Sequence, residues 1–201
     1  MTRLFGSALA ALMVVGCAKN IAQRVSEPSL MHTWEGACND GGPIDLSYRT
    51  FVKYAGDKFE ETTTFYSSED CVEPAAEVRY HGSFTLRDAK EAASAKPIDF
   101  DYEESEALVL NDAGKKAFEA VEPCGFETWE INKAHRLTNL AKGVKCPFRV
   151  TPSRRFGIYR LENDKLIVGD KFGFDSVATV ESERPTKLDD NNPLKISQRK
   201  L

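Results

Sequence analysis

The chain has 201 residues, a net charge of −4 and a pI near 5.5, with 41% hydrophobic and 29% charged side chains. That is enough for one domain with a sizeable core. The acidic balance, with no basic stripe, excludes a nucleic-acid-binding surface, and no internal repeat or low-complexity tract divides the chain.

Arg3 supplies one positive charge, and residues 4–15 form a mostly apolar run of twelve without an acidic or basic side chain. A charged start, a short apolar run and a small-residue site define a secretory signal. Twelve residues fall short of the roughly 20 that cross a bilayer. The run ends in Val14-Val15-Gly16-Cys17, which resembles the lipobox of bacterial lipoproteins, with valines where Leu and Ser or Ala are commoner. The resemblance implies cleavage before Cys17, a diacylglyceryl thioether on its sulfur and an N-acyl chain. Each buried methylene contributes about 0.8 kcal/mol, and stable anchoring needs two signals. The expected relation to the membrane is therefore anchoring. Ala18 rather than Asp after the cysteine implies, by the same resemblance, the outer membrane. A plain secretion signal is the alternative. The expected organisation is a signal peptide over 1–16, a lipidated N-terminus and tether over 17–30, and one domain over 31–201.

Removing the first 16 of 201 residues leaves 185, with four cysteines besides Cys17. An even remainder in an exported chain implies disulfides, and four cysteines permit three connectivities. The sequence-local pairing is expected: Cys38 with Cys71, and Cys124 with Cys146. Each closed loop would add about 3–4 kcal/mol on the chain-entropy account. No C-x₂-C pair or nearby His cluster suggests a metal site, so neither metal nor cofactor is expected.

Thr33 to Cys38 reads as a first strand, followed by the turn-rich Asn39-Asp40-Gly41-Gly42-Pro43. Tyr48–Tyr54 and Phe59–Tyr66, joined through Gly56-Asp57, read as a hairpin. Val78, Tyr80, Gly82, Phe84 and Leu86 alternate with Arg79, His81, Ser83, Thr85 and Arg87. Period two over ten residues means an antiparallel strand with one face buried. Residues 88–96 form an excursion. Pro97–Tyr102 returns to alternation and Ala107–Leu110 reads as a separate short strand. Asn111-Asp112 caps a helix to about Val121, closed by Pro123. Phe126–Leu137 looks extended, Phe156–Leu161 and Lys165–Val168 form a hairpin over Glu162-Asn163-Asp164, and Phe172–Val180 and Leu194–Gln198 complete the strands. Eight to ten short strands and one helix predict an all-β barrel or sandwich.

Trp34-x-Gly36 resembles the W-x-G signature of lipocalin-type barrels. Gly157-Ile158-Tyr159, with Asp164-Lys165-Leu166, resembles the G-I-Y…D-x-L hairpin of small bacterial lipocalin-like domains, as do Pro97-Ile98-Asp99 and Arg184-Pro185-Thr186 their P-x-x-I-D and R-P-T segments. The match spans about residues 33–198 in the right order, departing at the two disulfides and at an insertion over 111–150. It implies a lipocalin-like up-and-down antiparallel barrel with an apolar interior.

Catalysis finds little support: His32, His81 and His135 are far apart, and no G-x-S-x-G or H-E-x-x-H occurs. The chain is not expected to be an enzyme. Alternate carboxylates at Asp99, Asp101, Glu103, Glu104 and Glu106 are read as a solvated strand face in preference to a Ca²⁺ site. Lys145, Arg149, Arg154 and Arg155 are read as ordinary surface charge. Trp34, Phe65, Tyr80, Phe84, Phe100 and Trp129 are the candidate lining of a ligand site, since such sites are concave and mostly apolar. The expected function is binding of a small apolar or amphipathic ligand. The alternative is an envelope module with a filled core that meets another envelope protein through its surface, and a hydrolase comes last. An open interior favours the first, a filled interior with an exposed apolar patch the second, and a convergent cluster of perturbed titratable groups the third.

Overall fold

Side chains that alternate in sequence alternate across a sheet, and here that alternation closes on itself. The computed structural model describes residues 27–88, 94–170 and 178–198. Cys17, the apolar run before it and most of the expected tether lie outside those residues. The strands are β1 (Thr33–Glu35), β2 (Ser47–Ala55), β3 (Lys58–Tyr66), β4 (Pro74–Leu86), β5 (Lys96–Val109), β6 (His135–Arg136), β7 (Ser153–Glu162), β8 (Lys165–Val168) and β9 (Leu194–Ile196). The helix α1 covers Asp112–Val121. Each strand pairs antiparallel with the next in the order β1-β2-β3-β4-β5-β7-β8-β9, and β9 returns to β1 through Trp34 opposite Ile196. Eight strands thus close a lipocalin-like up-and-down barrel, with β6 added to the far end of β5.

Local chemistry explains the turns. In the β7–β8 hairpin, Asn163 and Asp164 both have positive φ (48° and 58°), as a tight two-residue hairpin turn requires. The Asn111 side chain accepts from the Gly114 N–H at 3.0 Å and caps α1, which ends where Glu122 turns left-handed before Pro123. A Cβ on Gly114 would lie 1.9 Å from the Ala75 carbonyl oxygen. Only glycine lets α1 sit this close to β4.

Two expectations about elements change, and a third lies largely outside the described residues. Pro97–Tyr102 and Ala107–Leu110 belong to one 14-residue strand, β5. A register shift between His81 and Gly82 accommodates the intervening acidic residues without ending the ladder. Phe126–Leu137 contributes only β6, because the backbone turns left-handed at Asn132 (φ 62°). Residues 171–177 of the expected Phe172–Val180 strand lie outside the described residues, as do 89–93 of the excursion; Ala178 accepts a backbone hydrogen bond from Phe156 without forming a strand.

The barrel's two ends differ. One is closed by the β2–β3 and β7–β8 hairpins and by a single turn, Pro28–Leu30, inside the stretch read as tether. Leu30 is fully buried, and its carbonyl accepts the Trp34 indole N–H at 2.9 Å. The other end carries α1, the chain from Pro123 to Pro152, and both disulfides. Cys38–Cys71 and Cys124–Cys146 pair as expected, with Cα–Cα distances of 5.9 and 4.0 Å.

Candidate functional site

The inward row of β3 reads Phe59, Glu61, Thr63, Phe65, and Glu61 faces Val52 on one side and Tyr80 on the other. A carboxylate thus sits in the lumen, only 5% exposed. An isolated ion there would be costly, so it needs a partner. The chain after Phe148 brings in Arg149, whose Nη1 donates to Glu61 Oε1 and Oε2 at 3.2 and 3.3 Å. The Tyr102 hydroxyl donates to Oε2 at 2.6 Å. The Arg149 guanidinium lies 4.0 Å from the Tyr102 ring centre and 4.9 Å from that of Tyr80, within cation–π range. Its backbone N–H donates to the Tyr80 hydroxyl oxygen at 3.2 Å.

Burial alone would lower the Arg149 pKa, but Glu61 and the neighbouring phenols outweigh it and hold the guanidinium above its ordinary value. Burial pushes the Tyr80 phenol up to about 12, and the Tyr54 and Tyr102 phenols are raised by the same cause. Arg155 behaves differently. Burial lowers its pKa and the charge of Arg149 lowers it further.

Above this polar layer lies a cavity of about 150 Å³. Its floor is Glu61, Tyr80 and Arg149; its wall includes Thr50, Thr63 and Leu194; Ala37 and Asn192 stand exposed at its mouth. It opens at the α1 end.

Of the six residues expected to line a ligand site, Tyr80 alone borders this cavity. Trp34 is packed on Leu30. Phe84 meets Tyr54 edge-on at 5.1 Å and Phe100 meets Phe59 at 5.2 Å, which fills the closed half. Phe65 and Trp129 both pack on Phe118 of α1, at 6.3 and 4.6 Å, in a second aromatic cluster under the helix. An eight-stranded lumen is only just wide enough for its own side chains or one small ligand, so large aromatics consume the space they were expected to line. The charged pair of the floor, Glu61 and Arg149, is not among those six residues. Glu61 was legible by parity, since it falls on the same row as Phe59 and Phe65. Arg149 was not, because it lies in irregular chain.

The basic cluster is not surface charge as a whole. On β7, Arg154 points outward to Asp99 and Asp101, whereas Arg155, opposite Phe100, lies on the inward row with Ser153 and Gly157. Arg149 is inside as well. The acidic run on β5 is an outer wall of ion pairs: Glu103 with Lys58, Glu104 with Arg136, and Glu106 with Arg79. Asp99, with a side chain only 1% exposed, accepts from Arg184 at 2.7 Å and Arg87 at 2.8 Å. Arg184 also donates to the Gly157 and Ile98 carbonyls at 2.8 and 3.2 Å. Three short segments far apart in sequence, those around Ile98-Asp99, Gly157 and Arg184-Pro185, therefore meet at one point on the outer wall. They latch the C-terminal chain to the barrel.

None of the three histidines borders the cavity: His32 meets Trp34 edge-on, His135 packs at a tilt on Trp129 and Phe126, and His81 is exposed on β4. No known protein family matches the sequence, and no curated protein matches it.

Proposed function

We propose that this is a lipid-anchored protein of the bacterial cell envelope whose barrel holds one small amphipathic ligand, without turnover, in the cavity at the α1 end. The observation that carries the reading is the cavity itself, with an apolar wall contribution from Val168 and Leu194 above the polar floor of Glu61, Tyr80 and Arg149. A cavity of about 150 Å³ accommodates a body the size of a benzene ring, so a longer ligand would project through the mouth. Binding without chemistry fits the floor: its phenols and guanidinium are shifted away from neutrality, whereas acid–base catalysis wants a pKa near the working pH.

The anchor rests on Val14-Val15-Gly16-Cys17, and Ala18 favours the outer membrane. The chain enters the barrel at its closed end, which leaves the mouth at the end farther from the tether. The competing reading, an envelope interaction module with a filled core, draws its support from the aromatic packing of the closed half.

Native mass spectrometry of the protein purified gently from its own host tests the binding reading. The expected result is a reproducible bound mass below about 1 kDa. A clean apo mass, with no apolar dye taken up, favours the interaction module instead. For the anchor, Cys17→Ser should shift the protein out of the membrane fraction; firm membrane association of that variant would refute lipidation at Cys17.

A further inference from the structure

The lumen contains more donors than its carboxylate can satisfy. Glu61 is occupied by Arg149 and Tyr102. Arg155, on the adjoining inward row, is left over: its Nε and Nη1 are enclosed and have no hydrogen-bond partner. Two residues earlier on the same row the Ser153 hydroxyl is also enclosed and unpartnered. Residues i and i+2 on a strand point to the same side about 6.5–7 Å apart, so these donors face the same space. The layer holds two guanidinium cations and one carboxylate, and Arg149 already depresses Arg155 by repulsion. A buried cation without a partner is costly, and the cheapest repair is an anion. The residue as a whole is half-buried rather than sealed. Its outward neighbour Arg154 shows the contrast: it pairs with Asp99 and Asp101.

We infer that Arg155, assisted by Ser153, is an anion-binding subsite in the lumen, beside the charged floor and not among the residues that border the cavity, and that the ligand is a small organic carboxylate with its acid group on Arg155. The inference rests on the ligand-binding reading above and names the class of ligand. Arg149 does not receive the carboxylate. It is committed to Glu61 and positions that side of the floor.

Titration calorimetry with a matched pair of probes, benzoate and benzyl alcohol, on the purified disulfide-intact protein tests it. The two have similar bodies and differ in the charged head. Benzoate should bind about ten-fold more tightly or better, the range of one charge-assisted hydrogen bond. Arg155→Met should lose about that factor for benzoate and leave benzyl alcohol unchanged. Because the substitution removes an unpartnered buried cation, the melting temperature of the unliganded variant should not fall. Arg155→Lys, which keeps the charge, should retain the preference for the acid, and Ser153→Ala should weaken benzoate by a smaller factor. Equal binding of both probes, or undiminished benzoate binding by Arg155→Met, would overturn the carboxylate subsite and leave the ligand reading standing. Binding of neither probe, with no adduct carried from the host, would overturn both.

Discussion

At the closed end of the barrel, Leu30, Tyr54, Phe59, Phe84 and Phe100 fill the lumen; at the α1 end, Thr50, Thr63 and Tyr80 border open space over a charged floor. Both halves use the same alternation on the same strands. β2 and β3 supply Tyr54 and Phe59 to the first and Thr50 and Thr63 to the second. What differs is volume and polarity at the inward positions. Aromatic rings meeting edge to face complete the closed half, while the open half substitutes threonine hydroxyls, one of which pairs Thr50 with Thr63 at 3.3 Å. The closed half is a plug that holds the fold. The open half packs a second aromatic cluster under α1 and keeps room beside it, at Thr50 and Thr63.

That contrast can be broken by mutation. Phe100→Ala, in the plug, should cost about 3–5 kcal/mol in urea unfolding, the range for emptying an aromatic from a packed core. Thr63→Ala, at the cavity wall, should cost about 1 kcal/mol, a single hydrogen bond with no new enclosed void. Similar losses at the two sites would mean the halves are equally packed. The floor between them is held by a pair rather than by packing, so Arg149→Met should cost about 3–5 kcal/mol by stranding Glu61. Arg149→Met combined with Glu61→Gln should recover most of that, and a double mutant as unstable as the single one would show that the ion pair is not the cause.

Next in size are the braces of the open end. Replacing Cys124 and Cys146, 22 residues apart, with alanine should lower stability by about 3 kcal/mol, while β7–β8 pairing, measured by amide exchange, stays protected. The smallest effect concerns the outer wall. Burial raises the Asp99 pKa, but hydrogen bonds from Arg184 and Arg87 outweigh it and leave it below the usual carboxylate value. A group depressed in the folded state stabilises above its unfolded pKa of about 3.9, and that contribution is lost as pH falls through the folded value. Asp99→Asn should therefore flatten the loss of stability below about pH 4. Parallel pH profiles for variant and wild type would mean that the Asp99 latch contributes nothing.

Much of the frame was legible in the sequence. Period two in β4 and in Pro97–Tyr102, the Asn111 cap and the Asn163-Asp164 turn act over a few residues, so local reading finds them. The disulfide partners were found because sequence-local pairing happened to match proximity at one end of the barrel. The site was harder to read. Trp34, Phe84 and Phe100 look equally apt for a core or a ligand wall, and only the width of the closed barrel decides between them. Arg154 and Arg155 are adjacent and alike in sequence. Strand parity alone sends one to an outer ion pair and the other to the lumen, and Arg149 was hidden in chain without any period. The meeting of Asp99, Gly157 and Arg184 is likewise a property of closure.

The most direct test of the contrast between the halves is nuclear magnetic resonance of the isotope-labelled protein titrated with benzoate. Shifts should be confined to Gly36, Thr50, Thr63, Tyr80 and the Arg155 side chain with its cross-strand neighbour Phe100, leaving Leu30 and Phe84 unmoved. Shifts centred on those closed-end residues, or none anywhere, would contradict a ligand site in the open half.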